Sequence, residues 1–212
     1  MDERLKLYTA VRNSAGERVR IALNLKGLDW DFVSVPDMDK AGYAKVNPQG
    51  LMPALAVDGR IIGQSGAILD YVERRWPQPP LLPADPFLRA QALAFGQYVA
   101  AEMHAVTVSR VGLYLETDMG QDAAGVSRWL QHWNRIGFGV LEDILARREK
   151  DWRFCFGDEP GWADLHLIPQ LRNGRRFELD LAPYRRLLEV EGSCEVLPAF
   201  IAAAPDNMPG FQ

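Results

Sequence analysis

Pro53 stands directly ahead of the apolar run Ala54-Leu55-Ala56-Val57, and no other residue constrains the fold of this chain as tightly. A proline has no backbone N–H to give to a sheet ladder, so the run that follows must begin a strand at that point. A cis Met52-Pro53 bond there would reverse the chain and turn the Met52 backbone outward, toward a ligand. Ahead of it, Asn47-Pro48-Gln49-Gly50 reads as a turn; after a short strand pair, Gln64-Ser65-Gly66-Ala67-Ile68 reads as the polar start of a helix.

The segments on either side extend this into a sheet. Leu5, Leu7 and Tyr8 begin a strand, the polar turn Arg12-Asn13-Ser14-Ala15-Gly16 follows, and Val19, Ala22, Leu23 and Lys26 recur at helical spacing up to Gly27. Alternation over Asp29 to Val35 predicts a second strand, which makes a βαβ unit with a right-handed crossover. A polar excursion from Asp37 to Lys45 separates it from the hairpin formed by Ala54 to Val57 and Ile61-Ile62 around Asp58-Gly59; a helix then runs from Ser65 to about Trp76. The order β-α-β, β-β-α is that of a thioredoxin-like sheet. It lacks a Cys-x-x-Cys pair, which argues against disulfide exchange.

Pro77-Gln78-Pro79-Pro80-Leu81-Leu82-Pro83 is too rich in proline to be helical and marks a linker. Beyond it the pattern is purely helical. Leu88, Ala92, Phe95, Val99, Met103 and Val106 predict one long helix, and Val126 through Ile144 a second, antiparallel to the first. Trp162 to Asn173 predicts a third, and Leu187 to Ala204 one or two shorter ones. The expected architecture is thus an α/β thioredoxin-like domain over residues 1-80 and an all-α domain over 86-212.

Composition narrows the function classes. A formal net charge of −4 without a dominant basic run disfavours nucleic-acid binding, while leaving room for a local basic pocket. No apolar run approaches a membrane span, and Met1-Asp2-Glu3-Arg4 does not resemble a signal peptide, so a cytoplasmic chain is expected. Cys155 and Cys194 lie far apart outside any ligand motif, which predicts reduced thiols and no metal site.

With NPQGLMPAL, QSGAILDYVE, RVRIALNLKG and, near the C-terminus, IPQLRNGRRFELDLAPY, the chain resembles the glutathione transferase superfamily over nearly its whole length. The similarity is to the zeta class, with its maleylacetoacetate and maleylpyruvate isomerases. That resemblance implies a glutathione-dependent cis-trans isomerase of a maleyl-type dicarboxylate, with glutathione as a recycled cofactor and a homodimer as the assembly. It also implies where glutathione sits: Met52 ahead of the cis Pro53 offers its backbone, and Gln64 and Ser65 hold the γ-glutamyl carboxylate at a helix N-terminus. Gln49 lies in the adjoining loop. His104, on the first long helix, falls where the class places a His or Gln near glutathione, although a lone His on a helix is more often merely packed or solvated.

The strand-to-helix turn is the catalytic candidate, because unsatisfied N–H groups and the helix dipole stabilise a nearby thiolate. In the zeta class this turn resembles Ser-Ser-Cys-Ser, and here it reads Asn13, Ser14, Ala15 and Gly16. An Asn13 amide is a bulkier and weaker donor than a hydroxyl, and Ser14 is the hydroxyl left to take the role; the plainer reading makes either residue an N-cap. Arg12, Arg110 and Arg176 match positions where similar bacterial isomerases direct basic residues toward a dicarboxylate, which a guanidinium binds in two-pronged fashion. The plainer reading is solvated charge. Asp164 resembles the acidic member of a capping box, with Gly161 at the usual Thr position. Two rival functions remain: a general glutathione transferase or dehalogenase of small α-halo acids, and a non-catalytic binding protein that keeps the fold.

Overall fold

The computed structural model describes residues 5–210. Two compact units form: one runs to Leu81 and takes up the chain again from Glu195, and the other is Leu82–Cys194.

In the first unit, β1 (Leu5–Thr9) buries Leu5, Leu7 and Thr9 in alternation, as a central strand packed on one face requires. It pairs in parallel with β2 (Trp30–Ser34) through the crossover helix α1 (Ser14–Leu25), and antiparallel with β3 (Ala54–Val57), opposing Leu7 to Phe32 on one side and to Leu55 on the other. β4 (Arg60–Gly63) closes the sheet in the order β2-β1-β3-β4. The hairpin turn places both Asp58 and Gly59 at positive φ, as the Asp-Gly pair predicts. Leu5, Leu7, Val19, Leu23, Leu55, Val57, Ile68 and Val72 form one core between the sheet, α1 and α3 (Ser65–Arg75).

The polar excursion contains a helix that the sequence reading treats as irregular: α2 (Lys40–Val46), where the Asp39 side chain caps the N–H of Gly42 at 2.6 Å. Only Tyr43 on this helix is buried, so no apolar stripe announces it.

Two buried side chains, Arg20 and Lys26, tie the unit together. Arg20 is fully buried; its Nε donates to the Ala203 carbonyl at 2.9 Å, and its two terminal nitrogens donate to those of Ala10 at 3.2 Å and Val11 at 3.1 Å. Lys26 reaches the Glu73 carboxylate and the Pro79 carbonyl, both at 2.6 Å, and Glu73 in turn accepts the Leu81 N–H, so the proline-rich segment is fastened to α1 and α3. Arg18 faces Ser65 on α3. The contacts of Arg20 also join the tail from Glu195 to the first unit. The tail from Glu195, which carries α10 (Pro198–Ala203), packs on α1 because Arg20 and Asn24 take up its carbonyls at Ala203 and Ala199.

The second unit is helical. Its first long helix is not continuous, as the sequence periodicity predicts, but consists of α4 (Pro86–Gln97), a π-helical segment Tyr98–His104, α5 (Ala105–Thr107) and α6 (Ser109–Thr117). Val108, with φ −70° and ψ 155°, breaks the run. The β-branched series Val106-Thr107-Val108 weakens helix there, and the Thr107 hydroxyl donates to the Met103 carbonyl at 2.8 Å. Arg110 therefore lies on α6, past the break. α7 (Ala123–Ala146) follows as one long helix, then α8 (Trp162–Arg176) and α9 (Arg185–Glu195). Asp164 secures the start of α8 by accepting the N–H of Gly161 at 2.8 Å and of Cys155 at 2.9 Å. The reciprocal half of the capping box is missing, since glycine has no side chain to return the bond. No helix among the described residues is long and apolar enough to cross a membrane.

Replacing Arg20 by Met strands three carbonyl acceptors and is expected to lower stability by roughly 3–5 kcal/mol. Urea unfolding gives the magnitude, and amide exchange in α10 should lose protection first. An unchanged midpoint would show that the clamp is dispensable.

Candidate active site

The loop ahead of Pro53 is built around Asn47, itself buried. Its side-chain nitrogen donates to the Leu51 carbonyl at 2.6 Å, its side-chain oxygen accepts the Gln49 N–H at 3.3 Å, and its carbonyl accepts the Gly50 N–H at 2.8 Å. The Tyr43 hydroxyl adds a second donor to the Leu51 carbonyl at 2.8 Å, which gives the otherwise polar α2 its purpose. Gly50, at φ +69°, makes the turn that these bonds require. The Met52-Pro53 bond is cis, Pro53 is buried and Met52 half-buried.

Across the hairpin, Gln64 holds φ 67° and ψ 120°, a conformation that side chains rarely adopt. It brings the exposed Gln64 amide to the Gln49 side-chain oxygen at 2.6 Å and starts α3 at the buried Ser65. Among the described residues no side chain caps the amino end of α3, and its first turn has no acidic residue. α1, α4 and α7 differ: Asn13, Asp85 and Asp122 each accept an N–H from the first turn. The end of α3 is therefore an electropositive, hydroxyl-bearing seat suited to a carboxylate. Behind Ser65 lies Arg18, whose buried guanidinium places a terminal nitrogen 3.4 Å from the hydroxyl oxygen. Burial pulls Arg18 down to about 10, with the neighbouring Glu17 carboxylate opposing.

At the strand-to-helix turn, Asn13 is the N-cap of α1. Its side-chain oxygen accepts the Gly16 N–H at 2.6 Å, and the half-buried Ser14 is the first helical residue. Gly16 is needed for this approach, since a Cβ there would collide with the Thr9 side chain. Arg12 is exposed at the same turn.

In the second unit, the half-buried His104 closes the π-helical segment, and Arg110 is exposed on α6. Arg176 ends α8, exposed, with its guanidinium 4.9 Å from the centre of the Phe177 ring. Burial beside the Asp164 carboxylate pushes the Cys155 thiol well above its usual range, which removes it as a nucleophile near neutral pH. No cluster of three or more metal-ligating side chains occurs among the described residues.

Residues 7–80 match the family model of the glutathione S-transferase N-terminal domain. A maleylpyruvate isomerase from Ralstonia sp is 37% identical over 97% of this chain and 99% of its own, and a maleylacetoacetate isomerase from Pseudomonas aeruginosa is 39% identical over 97% and 98%. The holo structure of a maleylpyruvate isomerase, a bacterial glutathione S-transferase of the zeta class, superposes with a TM-score of 0.94 at 36% identity, covering 98% of this chain and all of that one. The chain belongs to the zeta class of the glutathione transferase family. A maleylacetoacetate isomerase from Methylobacterium extorquens AM1, solved with malonate and GSH bound, has a TM-score of 0.93 at 35% identity and covers 98% of this chain and 99% of its own.

Within this zeta-class fold, the sequence singles out the Gln49, Met52, Pro53, Gln64 and Ser65 elements, and the structure brings Gln49 and Gln64 into direct contact. It gives Asn47 a place in the turn but no role in the site, and it passes over Tyr43 and Arg18. Asn47 had a signal, as an Asn opening a turn that ends in Gly; a charged residue in a helix gives no sign that it is buried.

If Gln64 stores backbone strain, glycine relieves it and alanine does not. Gln64→Gly is expected to be more stable than Gln64→Ala by about 1 kcal/mol, the strain released less the entropy that glycine loses on folding. Denaturant midpoints of the two variants decide it; equal midpoints would mean that the conformation is unstrained.

Proposed function

We propose that this protein is a glutathione-dependent cis-trans isomerase of a maleyl-type dicarboxylate, maleylpyruvate or maleylacetoacetate. The observation that carries the reading is the uncapped amino end of α3 beside the Asn47-ordered turn, in a chain that matches maleyl isomerases along their whole length. The residues present fit glutathione: a carboxylate is matched by the first-turn N–H groups of α3 and the Ser65 hydroxyl, an amide backbone by Met52, and polar contacts by Gln49 and Gln64; His104 is assigned to glutathione by the resemblance alone.

Bound glutathione supplies a thiolate that adds reversibly to the substrate double bond, allows rotation about the resulting single bond and leaves by elimination, so that it is recovered unchanged. The amino end of α1 favours the thiolate over the thiol through its dipole, with Ser14 as hydroxyl donor. Asn13 contributes its side-chain nitrogen, its oxygen being held by Gly16. Arg12, Arg110 and Arg176 meet the substrate carboxylates in this reading and offset the repulsion between a dianion and a thiolate. The protein works as a homodimer in the cytoplasm.

Arg12→Met, Arg110→Met and Arg176→Met are each expected to raise KM for maleylpyruvate roughly ten- to a hundredfold, since a charge-assisted pair contributes about 1.5–3 kcal/mol. Calorimetric glutathione affinity and conjugation of the neutral chlorodinitrobenzene should change little. Equal losses on both substrates would sink the diacid reading in favour of a general transferase. Sedimentation equilibrium is expected to give twice the chain mass; a monomer at all concentrations would remove the dimer.

A further inference from the structure

Among the described residues, Arg18 is a buried cation of the first unit that the fold's own hydrogen bonds do not explain. It lies on α1, 1% exposed, and its Nε and one terminal nitrogen find no hydrogen-bond partner among the described residues. Its remaining terminal nitrogen points across to Ser65, 3.4 Å from the hydroxyl oxygen. Arg20, two residues on, is by contrast bonded to three carbonyls. An arginine buried with most of its donors unused costs stability, and replacing it with an apolar side chain of similar volume would remove that cost.

What it does to Ser65 follows from donor and acceptor counting. A guanidinium has five N–H donors and no acceptor, so in this contact Ser65 must accept. A hydroxyl has a single hydrogen; with its oxygen accepting from Arg18, that hydrogen is left to donate to an acceptor placed at the amino end of α3. The α3 terminus, without a side-chain cap or a first-turn acid, has nothing of its own to take it.

We propose that Arg18 is a positioning residue for the carboxylate seat: it fixes the Ser65 hydroxyl as a donor aimed at the γ-glutamyl carboxylate and places a buried positive charge behind it. Arg18 never touches the ligand. The proposal rests on glutathione occupying this end of α3 and assigns to α1 a second task, that of setting affinity at α3.

The test is a double-mutant cycle read by calorimetry, with glutathione as one probe and cysteinylglycine, which lacks the γ-glutamyl carboxylate, as the other. Arg18→Met is expected to weaken glutathione about tenfold when Ser65 is present and less than twofold in the Ser65→Ala background. Cysteinylglycine binding should be the same in all four proteins. Arg18→Gln, which keeps a neutral donor and replaces the methionine variant if that one does not fold, should lose about threefold, again only when Ser65 is present. Equal losses in both backgrounds would make Arg18 a merely structural residue and overturn the proposal, as would undiminished affinity in the single variants. Absence of glutathione binding by the wild type would overturn the glutathione reading itself; a Ser65→Ala loss without an Arg18 effect would overturn only the role given to Arg18.

Discussion

The guanidinium of Arg20, bonded to the carbonyls of Ala10, Val11 and Ala203, is the constraint on which the first unit depends. It satisfies the residue that follows β1, the turn leading to Asn13 and the end of α10 in one step. Backbone acceptors in an irregular turn cannot find partners in a ladder, and a planar fork of donors can serve several at once. Because α1 carries Arg18 two residues earlier, and such residues project from different sides of a helix, one helix sends one cation to the α1 turn and the other to α3. Every residue from Ala15 to Leu23 is buried as a result.

That burial explains where the sequence was legible and where it was not. The spacing of Val19, Ala22 and Leu23 was enough to predict α1, and Asp58-Gly59 and Pro53 were enough to place the hairpin, because each acts through local geometry. Glu17, Arg18 and Arg20 gave no such signal. Charged residues on a helix read as its solvated face, and only the surrounding elements decide otherwise. The same limit applies to α2, held by Tyr43 alone, and to the break at Val108, where an unremarkable β-branched run interrupts a heptad-like pattern. The Gln64 conformation could not be read from sequence either, since glutamine has no preference for positive φ; it is imposed by the turn that joins β4 to α3.

The two candidate helix ends of the first unit are dressed differently. α1 starts with a neutral carboxamide cap that keeps one N–H occupied, whereas α3 starts bare, with a hydroxyl and a buried cation. A bare helix end has lost the stabilisation that a capping side chain gives, on the order of 1 kcal/mol. In the proposed function, a ligand carboxylate would supply the bonds that a capping side chain does not. Binding there would raise stability through those same N–H groups.

The return of α10 to α1 has a consequence for synthesis. At about 5–20 residues per second, the ribosome makes Ala203 several seconds or more after Leu81. During that interval the nascent β1-α1 segment has its sheet partners but not the carbonyl that Arg20 Nε will take, while the intervening helical unit, continuous in sequence, can finish folding first. The thioredoxin-like unit, first to emerge, is the last to be completed. Loss of α10, by premature termination or a poorly placed fusion, would therefore be felt in the turn that precedes α1.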